Sequence, residues 1–369
     1  MGPAELRRRR RRCLELVGLV TERPSAYGPL LRRLGGLEGL LAQRELEIGA
    51  EPCGEPLERL EVPAPDRLLV TYVDEGYPPQ LADLFDPPPA LFVVGARAAG
   101  DLAPLARLPL VAVVGTRAPS RYGREMAGAI SRGLVQAGVC VVSGLALGID
   151  ALVHRAALET TSAALPTVAV LGCGADVVYP RTNARLYAEV ARRGLVISEY
   201  PWGTPARPWR FPARNRIIAG LSRAVVVVEG AADSGSLFTA EYALDTGRPV
   251  FAVPGEAGRR LSAAPHGLLR AGAHVCESAA DVLSLLGLEV GGPAWSAGLP
   301  APFLPHGDGL CTALLSALDD GEASVDALVG RLDAAAPAVT AALSLLEVEG
   351  LVTAVGGRYR LSRGGRRKD

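Results

Sequence analysis

Apolar residues follow two different spacings along the chain, and the change between them separates its regions. From about residue 13 to 60, leucine and valine recur every three or four positions, which predicts helices on either side of a Gly35-Gly36 break. From about 62 to 290, short β-branched runs alternate with helical stretches. Strands that alternate with helices predict right-handed βαβ crossovers and a parallel sheet, and therefore an α/β fold.

The β-branched runs give the positions of the strands. The strands of the parallel sheet are predicted at 111–114, 139–143, 168–171, 195–198, 224–228 and 250–253. Two edge strands are predicted ahead of them, at 68–73 and 91–94.

A stretch rich in proline and glycine, residues 291–307, predicts a linker to a C-terminal domain at 308–363. The pattern there predicts three short helices, at 310–318, 324–332 and 336–349, and a hairpin of 351–355 with 359–361, which is the winged-helix plan. The stretch 333–350, which includes the third helix, has no arginine or lysine and carries Glu347 and Glu349. Because such a helix does not approach phosphates readily, we predict that this domain contacts protein.

Composition restricts the chemistry that the chain can perform. Lys368 is the only lysine among 39 basic residues, so any phosphate contact must use arginine, and a Walker-type site is excluded. The formal net charge is +0, so a nucleic-acid site needs its basic residues concentrated on one surface. The six cysteines are scattered without a C-x-x-C pair, which favours buried free thiols in a reducing compartment.

The N-terminus begins like an export signal, because arginines at 7–12 precede Cys13-Leu14. Glu15 and the polar residues at 21–23 interrupt the apolar stretch, and no A-x-A cleavage site follows. No apolar run in the sequence reaches the roughly 18 residues of a membrane span. We therefore interpret the arginine run as a solvated tail and expect a cytoplasmic protein.

In an open parallel sheet, ligands bind beyond the carboxyl ends of the strands. The first parallel strand ends at Gly115-Thr116-Arg117, where glycine permits a tight turn and the following helix offers N–H groups to an anion. The turn is not G-x-G-x-x-G, so we predict no dinucleotide cofactor. Arg117 favours a phosphate ligand, and a plain strand-to-helix turn is the alternative.

The next two strands end at residues that have both catalytic and structural interpretations. After Ser143-Gly144, Asp150 and His154 are four residues apart and can bond on one helix face. We favour a capping Asp that orients a structural His over an acid–base pair, because no nucleophile adjoins them. Cys173 has no basic neighbour, so we expect a space-filling residue rather than a reactive thiol.

After the fifth strand, small hydroxyl residues and a glycine open a helix at Ser234-Gly235-Ser236. This pattern is typical of a phosphate nest. A capped helix start without any ligand has the same pattern, and spacing alone does not separate the two.

The most informative stretch is 206–216, where arginines are interleaved with aromatic residues and prolines. No acidic residue lies between Glu199 and Glu229. Guanidinium groups neutralise phosphates, and aromatic faces accept unstacked bases at about 1–3 kcal/mol each. The stretch therefore predicts a contact with single-stranded nucleic acid, and the alternative is a solvated charge run beside buried aromatics. The residues are Arg207, Trp209, Arg210, Phe211, Arg214 and Arg216.

Together these motifs resemble the DNA-processing protein A (DprA, or Smf) family. The segment FPARNR at 211–216 is the most specific part of a match that spans about 65 to 275 in unbroken order. The other matching motifs are Tyr77-Pro78, Gly115-Thr116-Arg117, Ser143-Gly144, Gly148-Ile149-Asp150 with His154, Gly172-Cys173-Gly174, Tyr179-Pro180, Ser198-Glu199-Tyr200-Pro201, Ser234-Gly235-Ser236 and Val253-Pro254-Gly255. The chain departs from the family at Ala264-Pro265-His266, where a glycine and an asparagine are expected.

The resemblance implies an extended Rossmann-like domain at 62–290, with an N-terminal helical (SAM-like) domain at 1–60 and the winged helix at the C-terminus. It implies a homodimer that binds single-stranded DNA without catalysis or a cofactor, protects incoming DNA in natural transformation and loads the RecA recombinase. By match, Arg117 and Phe211 contact DNA, with Ser143, Arg214 and Asn215 in the same pocket. The predicted DNA-binding residues are Arg117, Ser143, Arg207, Arg210, Phe211, Arg214, Asn215 and Arg216, and the phosphate-pocket candidates are Gly115, Thr116, Gly144, Ser234, Gly235 and Ser236.

Two other function classes remain open. The stretch 234–241 also loosely resembles the motif of nucleoside-monophosphate-processing hydrolases, in which case Glu241 would be the catalytic carboxylate. A mononucleotide, however, needs one or two arginines rather than a strip of them. A transcription regulator that reads DNA with the winged helix is the third hypothesis, and the non-basic third helix argues against it.

Overall fold

The computed structural model describes residues 2–22, 24–42, 66–95, 102–160, 165–288, 309–319, 321–332, 334–348, 352–355 and 358–361. Two compact units divide the chain, Met1–Gly298 and Leu299–Asp369. The predicted linker at 291–307 lies outside the described residues, as does the segment 43–65 around the predicted boundary between the first two domains.

Nine strands form one sheet in the first unit, in the order β1-β2-β6-β5-β4-β3-β7-β8-β9. From β6 across to β9 every pairing is parallel, and β2 joins the sheet antiparallel to β6. The strands are β1 (Arg67–Thr71), β2 (Ala90–Val94), β3 (Leu110–Val114), β4 (Cys140–Ser143), β5 (Thr167–Val170), β6 (Leu195–Ser198), β7 (Ala224–Val227), β8 (Val250–Ala252) and β9 (His274–Val275). The eight predicted strands are confirmed to within two residues at each end, and β9 was not predicted.

Helices cover both faces of this sheet, which is why its central strands are buried along their whole length. Each covered face carries a separate apolar core, one around Val142 and Ile217 and one around Val141 and Ile130. The helices of the first unit are α1 (Pro3–Glu22), α2 (Pro24–Leu34), α3 (Leu37–Ala42), α4 (Pro79–Ala82), α5 (Ala103–Arg107), α6 (Arg121–Gln136), α7 (Ile149–Glu159), α8 (Ala184–Arg193), α9 (Arg210–Leu221), α10 (Ser236–Asp245), α11 (Ala263–Arg270) and α12 (Ala279–Leu285).

The N-terminal helices have an apolar core of their own and also pack onto the sheet. Leu14 and Val17 of α1 share an apolar cluster with Phe92 of β2, and the Tyr27 hydroxyl of α2 donates to Pro87 O at 2.6 Å. The predicted break between α2 and α3 is confirmed: Gly35 and Gly36 have φ values of 72° and 94°, which favour glycine.

The interpretation of the arginine run as a solvated tail is wrong. All six arginines lie within α1, and Arg12 is buried. Arg10 bonds both carboxylate oxygens of Asp74 at 2.8 Å, and Arg8 pairs with Glu5. Apolar residues continue at helical spacing from Cys13 onward, and the arginines before them form ion pairs inside the unit. The helix therefore includes the arginine run and begins at Pro3.

The second unit has the predicted helices and hairpin. They are α13 (Gly309–Asp319), α14 (Val325–Leu332), α15 (Ala336–Val348), β11 (Val352–Val355) and β12 (Arg358–Leu361), and a short β10 (Ala323–Ser324) also pairs with β12. Leu314, Leu328 and Leu343 form its core. Arg331 donates to Ala317 O at 3.4 Å, and Arg360 pairs with Glu322 at 3.5 Å.

Over the described ranges, no helix is both long enough and apolar enough to cross a membrane. Within the same ranges, no group of three or more His, Cys, Asp or Glu side chains is arranged to hold a metal ion.

Candidate functional site

The main cleft opens where the order of the strands reverses. The strands β3 and β7 pair in parallel, while the chain continues from β3 towards β6 on one side and from β7 towards β9 on the other. Such a switch point leaves a crevice at the carboxyl ends of the strands. A cleft of about 420 Å³ lies there. The residues that line it include Gly115, Thr116, Arg117, Asp150, Pro208, Phe211, Arg214, Asn215, Asp233, Ser234, Gly235, Ser236, Thr239 and Arg260.

The loop after β3 is fixed by the end of β7, and this fixes the position of Arg117. Thr116 N donates to Glu229 O at 2.7 Å, and the Glu229 carboxylate accepts from the backbone N–H and the hydroxyl of Ser120. Ser120 in turn caps α6 by accepting from Gly123 N at 3.1 Å. Arg117 stands on this braced turn with its side chain exposed.

Helix α9 forms the opposite wall. It begins at Arg210, and Pro212 occupies the first turn, where a missing N–H breaks no helical hydrogen bond. Arg214 donates to Gly144 O at 2.9 Å and to Val170 O, while Asn215 Nδ2 donates to Gly235 O at 3.2 Å. The helix is therefore tied to the ends of β4 and β5 and to the residue before α10.

Phe211 lies where the main cleft meets a smaller cavity of about 60 Å³. Its ring stacks on Tyr179 with the centroids 5.2 Å apart, and the Arg117 guanidinium carbon lies 5.9 Å from the centroid of Phe211. Tyr179 is 44% exposed. Three planar groups, two from loops and one from the first turn of α9, thus meet at the mouth of the site, and we call them the aromatic cluster.

Four of the eight predicted DNA-binding residues line neither the main cleft nor the smaller cavity: Ser143, Arg207, Arg210 and Arg216. Arg216 is 5% exposed and forms a bidentate pair with Glu199 at 2.9 and 2.7 Å, and it also bonds Asp86 at 3.0 Å. Arg210 is equally buried and donates to Pro205 O and Thr21 O. Both guanidinium groups are engaged inside the protein, so the expectation that they stand on the surface is corrected. Arg207 is exposed, outside the lining of the cleft.

The side chains of Asp150 and His154 do not form the predicted hydrogen bond with each other; each bonds other partners instead. The Asp150 carboxylate accepts from Gly144 N at 3.1 Å and Ala146 N at 3.4 Å. His154 Nδ1 lies 2.7 Å from Thr167 Oγ1, and that hydroxyl donates to Val141 O. The ring Nδ1 is therefore the donor, and His154 is structural, as favoured from the sequence.

Burial dominates the protonation of these groups. It raises the pKa of the Asp150 carboxyl, which the charge of Arg214 opposes. It lowers the pKa of His154 to about 3, with the charge of Arg214 acting in the same direction. Burial also raises the pKa of Cys173 to about 11, which agrees with a space-filling thiol.

The predicted phosphate-pocket residues are brought together by the fold, with one exception. Gly115, Thr116 and the segment 234–236 line the main cleft, and Ser234 Oγ lies 2.8 Å from Ser236 Oγ. Gly144 lines the smaller cavity instead. Among the predicted DNA-binding residues, Ser143 is fully buried, and its hydroxyl donates to Val113 O within the sheet at 2.8 Å, so it is not exposed to the cleft.

Three lining residues were missed from the sequence as functional residues: Arg260, Asp233 and Tyr179. Each follows the carboxyl end of a parallel strand, and that position was the available signal. With them, three arginines and two aspartates line the main cleft, so its excess of positive charge is small. At the departure from the family, His266 Nε2 bonds Gly255 O at 3.0 Å and so links α11 to the loop after β8.

The family model for DNA recombination-mediator protein A matches residues 68–287, and the model for the DprA winged helix domain matches residues 299–358. The chain belongs to the DprA/Smf family. It is 38% identical over 335 residues to protein Smf of Escherichia coli K12, which covers 89% of this chain and 86% of that one.

Solved structures of DprA proteins agree with this assignment. DprA from Streptococcus pneumoniae superposes with a TM-score of 0.58 at 34% identity, over 76% of this chain and 95% of that one. DprA from Helicobacter pylori superposes with a TM-score of 0.53 at 29% identity, over 60% of this chain and 95% of that one. The Helicobacter structure is described for its single-stranded-DNA binding mode.

Proposed function

We propose that this protein binds single-stranded DNA in the main cleft and its smaller neighbour, without a chemical step. The aromatic cluster of Phe211, Tyr179 and Arg117 is the observation that carries the proposal. Aromatic and guanidinium planes accept an unstacked base whatever its sequence, which suits a binder of DNA of any sequence. The binding mode described for the Helicobacter relative supports the same interpretation.

The geometry favours an unpaired strand over a duplex. Phe211 is half-buried between two cavities, so a base must leave the stack to reach its ring. A base inside a double helix would have to be unpaired and turned outward first, at a cost of a few kcal/mol. The exposed Arg117 and Arg260 then supply the phosphate contacts, and the segment 234–236 supplies a backbone nest. Arg214 is buried and fixes helix α9 through its bonds to Gly144 O and Val170 O.

Two partners belong to this proposal. The chain delivers its bound strand to the RecA recombinase in the cytoplasm, as the resemblance implies, and it acts as a homodimer. The winged helix contacts protein, since two of its three described arginines, Arg331 and Arg360, already bond within their own unit. Arg358 on a surface that crosslinks to DNA would contradict this last point.

The geometry gives the hydrolase alternative no support. Glu241 is exposed on α10 and is not among the residues that line the main cleft. Release of free base from nucleoside monophosphates by the purified protein, abolished in Glu241→Gln, would restore that alternative.

The test is equilibrium binding of fluorescent oligo-dT and of a duplex of equal length, at several salt concentrations. We expect tighter binding of the single strand and a loss of about 1–3 kcal/mol in Phe211→Ala, the value of one stacked base. Equal affinity for both nucleic acids, or an unchanged Phe211→Ala, would contradict the proposal. Delivery is then measured by adding RecA to the bound strand. We expect RecA to assemble on this strand faster than on the strand without the protein.

A further inference from the structure

Trp209 is not part of the lining of the main cleft, and its indole is exposed to solvent. It is 43% exposed, although it directly precedes α9 and lies two residues before Phe211. Large aromatic side chains are normally buried, and those that stay exposed beside a binding site are candidates for contact with a ligand.

A buried arginine holds this ring from behind. The guanidinium carbon of Arg210 lies 4.7 Å from the centroid of Trp209 and 4.9 Å from that of Tyr200. Arg210 is 5% exposed, and it is fixed by bonds to Pro205 O at 2.8 Å and to Thr21 O, near the end of α1, at 3.2 Å. A cation over an aromatic face is attractive, and here it limits the rotation of the exposed indole before any ligand arrives.

Trp209 lies next in sequence to a residue that lines the proposed site. Pro208, its neighbour in sequence, lines the main cleft, and Arg207 is exposed on the other side of Pro208. A strand that leaves Phe211 along this segment therefore passes Pro208 and meets the exposed ring of Trp209 and the exposed side chain of Arg207. An unpaired base and a phosphate are the groups that fit these two side chains.

We infer that Trp209 is a second stacking platform, which takes one further base of the same single strand, with Arg207 on the adjoining phosphate. Arg210 is a positioning residue for Trp209, and its bond to Thr21 O connects it to α1. The inference rests on the proposed function, because it extends the same binding surface by one nucleotide or more.

The experiment uses the full chain and oligo-dT of increasing length, with affinity and tryptophan emission recorded together. We expect Trp209→Ala to weaken binding by about 5- to 100-fold for oligonucleotides long enough to cover both rings, and to leave the shortest bound lengths unchanged. Phe211→Ala, in contrast, weakens every length. Trp209→Phe, which keeps a smaller ring, falls between wild type and Trp209→Ala.

Emission identifies the ring that is contacted. The difference in quenching between wild type and Trp209→Phe reports Trp209 alone, and we expect it to be present for long oligonucleotides and absent for the shortest. Arg210→Gln should reduce this quenching and the affinity for long oligonucleotides, with the affinity for the shortest retained.

The outcomes separate this inference from the function beneath it. The second platform would be overturned, and the main site would stand, by two results together. The wild type would bind long oligo-dT without quenching of Trp209, and Trp209→Ala would bind all lengths like the wild type. Wild type that binds no single-stranded DNA at all would overturn the proposed function, and the second platform with it.

Discussion

Arg214 and Gly144 are in direct contact, and the contact joins helix α9 to the loop after β4. The guanidinium donates to Gly144 O at 2.9 Å, and a Cβ built at position 144 would lie 2.4 Å from a guanidinium nitrogen. Glycine is required there because the buried guanidinium occupies the space of a side chain. The loop after β4 and helix α9 are therefore fixed to each other.

Gly144→Ala should displace Arg214 and with it the start of α9. We expect a loss of about 1–3 kcal/mol in the free energy of unfolding, as for other overpacked positions, together with weaker binding of oligo-dT. The matched control is Gly267→Ala in α11, where a Cβ meets nothing within 4 Å and helix propensity favours alanine. Denaturant unfolding of both variants tests this, and equal stabilities would contradict the close contact.

Arg117 and Arg214 should differ in the salt dependence of binding. Arg117 is exposed, so Arg117→Ala should remove a phosphate contact and reduce the slope of log K against log salt by about 0.7. Arg214→Ala should keep the wild-type slope but lose about 3 kcal/mol of stability, because it leaves two buried carbonyl groups without their donor. Arg223→Ala, exposed at the amino end of β7, serves as the control for charge alone. An unchanged slope in Arg117→Ala would remove Arg117 from the site.

Arg216→Met should unfold the protein more easily without acting on DNA directly. Glu199 is 1% exposed, and the substitution leaves its carboxylate without the bidentate partner, at a cost of about 3–5 kcal/mol. Replacing both residues, as Arg216→Met with Glu199→Leu, should recover most of that loss. Arg207→Ala, an exposed arginine from the same segment, should leave stability unchanged. If Arg216→Met is as stable as the wild type, the buried ion pair of Arg216 with Glu199 is contradicted.

His154 should make the protein sensitive to mild acid. Its pKa is about 3 in the folded protein, against an ordinary value of 6.5 when the chain is unfolded, so the unfolded chain binds the extra proton between these values. Stability is therefore fully present above pH 6.5 and falls as the pH is lowered. From pH 7 to pH 5 this one group should remove about 2 kcal/mol. His154→Asn, which keeps a donor for Thr167 Oγ1, should flatten that part of the profile, and a profile equal to wild type would contradict the assignment.

The fold could be predicted from the sequence because its strands are short, β-branched and separated by helical periods. Buried parallel strands such as 111–114 and 224–227 read as continuous apolar runs. The two-residue β9 could not be found this way, since His274 and Val275 are exposed and carry no pattern. The arginines at 7–12 were misread because their acidic partners, such as Asp74, are distant in sequence.

The sequence predicts a candidate site beyond the carboxyl ends of the strands, but it does not predict the burial of every side chain there. Arg210 and Arg214 continue the stripe of Ile217, Ile218 and Leu221 along the buried face of α9, at spacings of three and four. That stripe was visible in the sequence, but arginine is so seldom buried that its charge was given more weight than its position. Arg216 needed knowledge of the fold, because its partner Glu199 comes from the end of β6.

The most direct test of the central claim is photocrosslinking of the full chain to oligo-dT that carries a photoreactive uracil, followed by mass spectrometry of the crosslinked peptides. Bases that stack in the cleft should crosslink to the segments that hold Phe211 and Tyr179, and Phe211→Ala should lose the first of these crosslinks. Crosslinks confined to the winged-helix unit or to α1, with segments 175–181 and 206–216 unmodified, would contradict the account.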